Sequence, residues 1–157
     1  MFNTRKNRNN MFIFGYGSLM NTASRKRTLG EHVRAYPATL KKKFGYRKRF
    51  NVITARNINE IALGIEKNKN KTTFVRGALF PVNKKHIKKL NFRERVYDKI
   101  NVPHKYINTT LKLQKKTKIM MYRPKKIRHK FKKTERVFKR YKNIVNAGTM
   151  QLFGKKM

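Results

Sequence analysis

The excess of basic over acidic side chains is the feature that most constrains how this chain of 157 residues folds. It has 43 Lys and Arg against 6 Asp and Glu, a formal net charge of +37 at pH 7. Repulsion on this scale opposes compaction unless an anionic partner offsets it. The apolar share of 38%, with 11 Phe and 7 Tyr, still supplies the core of one domain.

The charge predicts a polyanionic partner, with nucleic acid as the first candidate and an anionic membrane surface or an acidic protein as alternatives. Residues 1–102 hold 25 basic and 5 acidic residues, whereas residues 103–157 hold 18 and 1, so the C-terminal third is the better candidate for phosphate contact. An AT-rich genome also favours Lys and Asn codons, but it explains the shortage of acids less well. No base-reading motif is present, so binding is expected to be nonspecific and salt-sensitive.

Several classes of protein are excluded or disfavoured. No apolar run approaches the roughly 20 residues of a transmembrane helix, and residues 11–14 are too short for a secretory signal. We therefore expect an intracellular protein, either cytoplasmic or within a virion or organellar particle. The absence of cysteine excludes disulfides and a Cys nucleophile. His32, His86, His104 and His129 lack ligand spacing, so no metal or cofactor is expected.

The chain divides into three predicted parts: a basic N-terminal arm (residues 1–10), a domain (11–123), and a basic amphipathic C-terminal helix with its tail (124–157). In the last part, apolar residues recur at helical spacing from Ile127 onward, and Gly148 is the predicted stop.

Strands outnumber helices in the predicted domain. Strands are predicted at 11–14, 39–52 (a pair), 61–67, 73–82, 97–102, 106–113 and 118–124, and helices at 23–29 and 83–95. The polar stretch "NKNKT" predicts a hairpin between the strands that flank it, and Asn21 or Thr22 and Asn83 are the predicted helix caps. The fold class is therefore α+β, a small, mostly antiparallel β-sheet or barrel with flanking helices.

The loop "GYGSL" follows the first predicted strand. Its glycines allow backbone angles and close approaches that a Cβ resists, and consecutive N–H groups in such a loop form a nest for a carboxylate or phosphate. Ser18 adds a hydroxyl donor. An ordinary structural turn is the alternative interpretation, and the loop alone does not decide between them.

Glu94 is the second candidate, because it ends a predicted helix in a chain with few acids. The alternative is a surface carboxylate held by Arg93 and Arg95. A catalytic Glu94 must be deeply buried, since positive charge lowers the pKa of a carboxyl group and burial raises it. The catalytic interpretation therefore expects both arginines to point outward.

Together these motifs resemble the gamma-glutamylcyclotransferase-like superfamily, in particular its ChaC-type and AIG2-like branches. The similarity covers about residues 11–123 and lies in the ordered segments "FGYGSLMN", "ASRKRTL", "YPATLKKKFGYRKRFNV", "IALGIEK", "VRGALFPV", "LNFRERVYDKINV" and "KIMMYRP". One departure is Asn91, which stands where the family usually has an acid.

The resemblance implies an enzyme that cyclises a gamma-glutamyl group to 5-oxoproline and releases an amine or peptide, without metal or cofactor. The attacking amine is already tethered, so catalysis consists mainly of orientation. Glu94 is the implied proton-transferring residue. The implied substrate-binding residues are Tyr16, Gly17, Ser18, Leu19 and Tyr122.

A second hypothesis is that the same fold serves as a strongly basic structural component of a virion or ribosome-like assembly. An enzyme for small anionic substrates gains steering from modest positive charge, and +37 far exceeds that need. Both hypotheses therefore stay open at the level of sequence.

Overall fold

Strand β1 (Met11–Gly15) runs through the middle of the structure, a computed structural model that describes residues 11–54, 60–128 and 130–154. Its side chains Ile13 and Phe14 are fully buried. Apolar residues fill this strand because both of its edges are paired and both faces are covered. The core of the protein is built around it.

The main sheet has six strands in the order β6-β8-β1-β5-β2-β7. The strands not yet bounded are β2 (Tyr36–Leu40), β3 (Tyr46–Ile53), β4 (Ile61–Lys67), β5 (Val75–Pro81), β6 (Tyr97–Asn101), β7 (Ile107–Asn108) and β8 (Lys118–Pro124). Only β1 and β8 pair in parallel within this sheet, and its other pairs are antiparallel. This confirms the predicted α+β class with a mostly antiparallel sheet.

Strands β3 and β4 form a separate two-stranded antiparallel sheet with a bulge near Asn51. The predicted hairpin between β4 and β5 is therefore wrong, because β4 pairs with β3 and β5 pairs with β1 and β2. The predicted pairing within 39–52 is also wrong, since β2 and β3 lie in different sheets. Between them Gly45, with φ of 80°, redirects the chain.

Two helices begin at the predicted asparagine caps. Helix α1 (Thr22–Leu29) starts where the Asn21 side chain accepts a hydrogen bond from Ser24 N (3.0 Å). Helix α2 (Lys84–Arg93) starts where Asn83 accepts from His86 N (2.9 Å). Both caps satisfy N–H groups that have no partner within the helix.

The third helix, α3 (Lys139–Phe153), differs from its prediction at both ends. Before it, the backbone at Lys125, Arg128 and Arg136 is hydrogen-bonded to distant segments of the chain. Lys125 N donates to Val96 O (3.0 Å), and Arg136 O accepts from Ile61 N (2.9 Å). These contacts prevent a helix from starting near Ile127, where the apolar spacing predicts one.

Gly148 lies inside α3 and does not end it. A Cβ at this position would lie 2.6 Å from Asn21 N and 2.7 Å from Met20 C. The glycine is therefore required by the close packing of α3 on the backbone that leads into α1, and not by a chain reversal.

Three further points concern the predicted strand at 106–113, the predicted basic arm and membrane-spanning helices. The strand predicted at 106–113 is limited to β7, because only Ile107 and Asn108 reach partners on β2. The basic arm at 1–10 lies outside the described residues. Among the helices that the structure describes, none combines the length and apolar character needed to cross a membrane.

The first prediction concerns Gly148. Substitution Gly148→Ala adds a Cβ against main-chain atoms, so we expect it to lower the free energy of unfolding by about 1–3 kcal/mol. Helix propensity alone predicts the opposite sign, a gain of about 1 kcal/mol. Urea unfolding distinguishes the two. The exposed Asn146→Ala on the same helix is the control, expected within about 0.5 kcal/mol of wild type. A Gly148→Ala protein as stable as wild type would refute this account of the packing.

Candidate active site

A small cavity of about 40 Å³ lies where the loop after β1 meets the end of α2. It is lined by Phe14, Gly15, Tyr16, Gly17, Ser18, Leu19, Leu63, Glu94, Tyr97, Tyr122 and Tyr141. These residues come from separate elements of the fold, including β4, β6, β8 and α3. The fold thus brings together both candidates that the sequence identified, the glycine loop and Glu94.

The loop is shaped by close contact and by a short 3-10 turn at Ser18–Met20. A Cβ on Gly15 would lie 2.8 Å from Leu19 Cβ, so the tight turn requires glycine there. Met20 N donates to Gly17 O (3.0 Å), which begins the turn's own hydrogen bonds. Within the described residues, the N–H groups of Gly17, Ser18 and Leu19 have no protein acceptor. They remain available to hold an anion or a polarised carbonyl oxygen.

Glu94 is the C-cap of α2, and its side chain is 14% exposed. Its backbone is fixed on both sides, since Glu94 N donates to Leu90 O (2.8 Å) and Tyr97 N donates to Glu94 O (2.8 Å). Burial raises the pKa of this carboxyl group, and the neighbouring Arg93 partly opposes that rise. The result is a mostly buried carboxyl group whose pKa lies above its ordinary value, and a raised pKa favours a role as proton carrier.

Arg93 points inward, contrary to the expectation that both flanking arginines turn outward. Its Nε lies 3.3 Å from Glu94 Oε1, and its terminal nitrogens donate to the hydroxyl groups of Ser18 and Thr28. Arg95 is exposed as expected, donating to Phe92 O (2.9 Å). One guanidinium therefore joins the glycine loop, α1 and the candidate acid.

Four tyrosines surround the cavity, and two of them form a chain of hydrogen bonds. The buried Tyr16 hydroxyl donates to Tyr122 O (2.5 Å), and the Tyr122 hydroxyl donates to Asn91 Oδ1 (2.8 Å). Burial and the nearby Glu94 both raise the pKa of Tyr16 and of Tyr122. Asn91 thus accepts the hydrogen bond of the Tyr122 hydroxyl through its amide oxygen.

The other two tyrosines hold the peptide of Leu63. The Tyr97 hydroxyl donates to Leu63 O (2.9 Å), and Leu63 N donates to the Tyr141 hydroxyl (3.1 Å). Burial is the main cause that raises the pKa of Tyr97, and it raises the pKa of Tyr141 to about 12. All four phenols are therefore neutral in the physiological range, and Glu94 is the carboxyl group in the described lining of the cavity.

The residues predicted from the sequence all lie on this cavity: Glu94, Tyr16, Gly17, Ser18, Leu19 and Tyr122. Their roles remain predictions. Sequence reasoning missed Tyr97 and Tyr141. Tyr97 lies three residues after Glu94 and so belongs to the same segment of the sequence. Tyr141 is one of the apolar residues at helical spacing after Ile127, a pattern that predicts a helix face and not a site. No feature of the sequence predicts that the Arg93 side chain points toward the cavity.

A second, larger cavity of about 620 Å³ lies near the start of α2. The polar pair on its wall is His86 with Glu31, joined at 2.9 Å between Nε2 and Oε2. The other ring nitrogen of His86 accepts from Asn83 N in the helix cap. Both nitrogens of His86 thus take part in structural contacts, and Glu31 is 63% exposed, unlike the mostly buried acid of the smaller cavity.

Comparisons with known proteins agree on the fold. The structure is similar to a solved gamma-glutamyl cyclotransferase, with TM-score 0.69 and 16% identity over 91% of this chain and 80% of that one. An uncharacterized human protein, loc79017, gives TM-score 0.68 and 16% identity over 92% and 81%. YkqA from Bacillus subtilis gives TM-score 0.66 and 15% identity over 94% of this chain and 51% of its own.

These similarities show that the chain has the gamma-glutamyl cyclotransferase fold, as the resemblance of its motifs implied. No protein-family model matches the chain, and no curated protein matches it. The fold is therefore recognisable in three dimensions at a sequence identity too low to transfer an activity.

The second prediction concerns the stability cost of burying Glu94. Its pKa is raised in the folded state, so the carboxylate opposes folding as pH rises above the ordinary value of 4.5. We expect Glu94→Gln to raise the free energy of unfolding at pH 7, with the gain shrinking as pH falls toward 4.5. Urea unfolding at several pH values measures it.

The control is Asp98→Asn, which removes the same charge from an exposed strand position and should show no such growing gain. An equal gain in both variants would mean that overall charge, and not burial of Glu94, is responsible.

Proposed function

We propose that this protein cyclises a gamma-glutamyl group to 5-oxoproline and releases the attached amine or peptide. The observation that carries the proposal is that a mostly buried carboxyl group and a glycine loop with unpaired N–H groups line one cavity. The gamma-glutamyl cyclotransferase fold supports it as well.

The reaction forms one C–N bond and breaks another. The α-amine of the gamma-glutamyl group attacks its own γ-carbonyl carbon and closes a five-membered ring. The bond from that carbon to the leaving nitrogen then breaks. Because the nucleophile and electrophile belong to one molecule, the protein contributes orientation, charge stabilisation and proton transfer.

Glu94 is the proposed proton carrier. The substrate amine is an ammonium ion at neutral pH and must lose a proton before it attacks, and the leaving nitrogen must gain one. A carboxylate that accepts the first proton and returns it to the leaving group meets both needs. Burial brings its pKa closer to the working pH, which favours both steps.

The loop amides are the proposed anchor for the glutamyl end. The N–H groups of Gly17, Ser18 and Leu19 lack protein acceptors within the described residues, and these three residues line the cavity together with Glu94. They suit the α-carboxylate of the substrate or the developing negative charge on its γ-oxygen. Arg93 holds the Ser18 hydroxyl and so fixes this loop.

The size of the cavity limits what it holds. Its volume of about 40 Å³ accommodates only a few water molecules. The glutamyl end therefore displaces those waters, and the leaving group extends toward solvent. This arrangement places chemical selection on the gamma-glutamyl group and leaves the amine side less restricted.

The third prediction is that the purified protein releases 5-oxoproline from glutathione or from gamma-glutamyl amino acids. Glu94→Gln removes the proton carrier, so we expect the rate to fall by about 10²–10⁴-fold. Chromatographic quantification of 5-oxoproline measures both. Asp98→Asn is the matched control and should retain the wild-type rate, since Asp98 is exposed and does not line the cavity.

The absence of turnover on every gamma-glutamyl compound tested, in a protein that is folded by circular dichroism, would refute the proposed activity. Equal rates for wild type and Glu94→Gln would refute the role of Glu94.

The fourth prediction uses the two arginines that flank Glu94. Arg93 lowers the pKa of Glu94, so replacing it with Met removes that influence and the pKa rises further. Because the carboxylate is the form that accepts the proton, the acid limb of the pH–rate profile should move to higher pH. Arg95→Met removes the same charge at an exposed position and should leave the limb in place.

The measurement is kcat/KM for 5-oxoproline release across a pH series with both variants. A limb that moves equally in Arg93→Met and Arg95→Met would assign the shift to net charge. A limb that moves in neither would show that Arg93 does not act on the titrating group.

A further inference from the structure

The segment from residue 125 to residue 142, here called the basic segment, links β8 to the first turn of α3. It contains ten Lys and Arg and a single acid, Glu135. Nine of the basic residues are exposed: Lys125, Lys126, Lys130, Lys132, Lys133, Arg136, Lys139, Arg140 and Lys142. No other stretch of comparable length in the described residues exposes so many cations.

The one acid in the basic segment is turned inward. The Glu135 side chain is 5% exposed and accepts from Arg128 Nη2 (3.1 Å) and from the backbone N–H of Lys132. The Glu135 carboxylate is thus paired within the segment itself, and it neutralises Arg128. Among the described residues, the nine exposed cations form no ion pair with an acid.

The backbone of the basic segment is fixed to the domain. Lys125 N donates to Val96 O (3.0 Å), Arg128 N donates to Asn51 O (2.8 Å), and Ile61 N donates to Arg136 O (2.9 Å). Two rings add support, since the guanidinium carbons of Arg128 and Arg136 lie 5.7 and 5.6 Å from the ring centroids of Phe131 and Phe138. These bonds fix the backbone of the segment at Lys125, Arg128 and Arg136, which lowers the entropic cost of binding.

We infer that the basic segment binds the phosphate backbone of a nucleic acid. A dense set of exposed lysines and arginines without ion-pair partners suits contact with phosphates, and release of condensed counterions drives such binding. Protein–protein interfaces are instead depleted in lysine. Membrane insertion needs exposed apolar side chains, and the large exposed ones, Phe74, Phe92 and Met150, lie outside the segment.

Binding is expected to be independent of base sequence. The aromatic side chains of the segment, Phe131 and Phe138, are half-buried under arginines and are not free to stack on bases. Contacts to phosphate position a protein on nucleic acid but do not read its sequence. This inference does not depend on the proposed enzyme activity, because the exposed cations lie outside the cavity lining.

The test compares two triple variants of equal net charge. Lys126→Gln, Lys132→Gln and Lys133→Gln together remove three exposed charges from the basic segment. Lys41→Gln, Lys42→Gln and Lys43→Gln together remove three exposed charges between β2 and β3. Fluorescence anisotropy with a labelled short DNA duplex, and with a single-stranded RNA, gives the affinity from about 50 to about 200 mM salt.

We expect wild type to bind with a steep salt dependence. The basic-segment variant should lose affinity by about tenfold or more, and its slope of log K against log salt should fall by about two to three units. The control variant should lose much less. Replacing the same three residues of the segment with Arg keeps the charge and should restore binding, while circular dichroism checks the fold of each variant.

Equal losses in the two Gln variants would overturn the inference, because net charge alone would then explain binding. No loss in the basic-segment variant, or no binding by wild type, would overturn it as well. Vesicles containing phosphatidylserine serve as a second probe. Tighter binding to vesicles than to nucleic acid, lost in the basic-segment variant, would assign the surface to membranes instead.

Discussion

The contact between Arg93 and Glu94 is the interaction on which the candidate site depends. A mostly buried carboxylate in a chain of net charge +37 would have its pKa depressed if the surrounding cations reached it. The exposed lysines are screened by solvent and salt, whereas Arg93 sits at 3.3 Å and acts directly. Its guanidinium is in turn held by Ser18 and Thr28. The local environment of Glu94 is therefore set by one arginine and four neutral tyrosines, and not by the protein's total charge.

The hydroxyl group of Tyr122, near Glu94, is paired with a neutral acceptor and not with a second acid. Tyr122 donates to Asn91, and an amide oxygen fills the acceptor role as well as a carboxylate would. Asn91 is also neutral, whereas a carboxylate three residues before Glu94 would repel its charge and raise its pKa further. The chain shares a fold with a solved gamma-glutamyl cyclotransferase at 16% identity.

Local signals in the sequence predicted the local structure well. The asparagine caps of α1 and α2, the glycine loop and the position of Glu94 at a helix end each follow from a few adjacent residues. The failures all concern distant partners. The pairing of β4 with β3, and the backbone bonds that keep residues 125–138 out of a helix, depend on segments far away in the chain. Likewise, Tyr141 lies on α3, which packs closely on the backbone before α1 at Gly148, and no periodicity reveals that contact.

The tyrosine contacts to Leu63 also bear on how the protein avoids self-association. Among the described strands, β4 is hydrogen-bonded to β3 alone, so its other edge carries peptide groups that another strand would otherwise recruit. At that edge Leu63 is occupied by Tyr97 and Tyr141, and Ile61 N is occupied by Arg136 O. Side-chain phenols and a loop carbonyl thus take the place of an adjoining strand. The same two phenols that line the cavity protect an apolar strand from edge-to-edge aggregation.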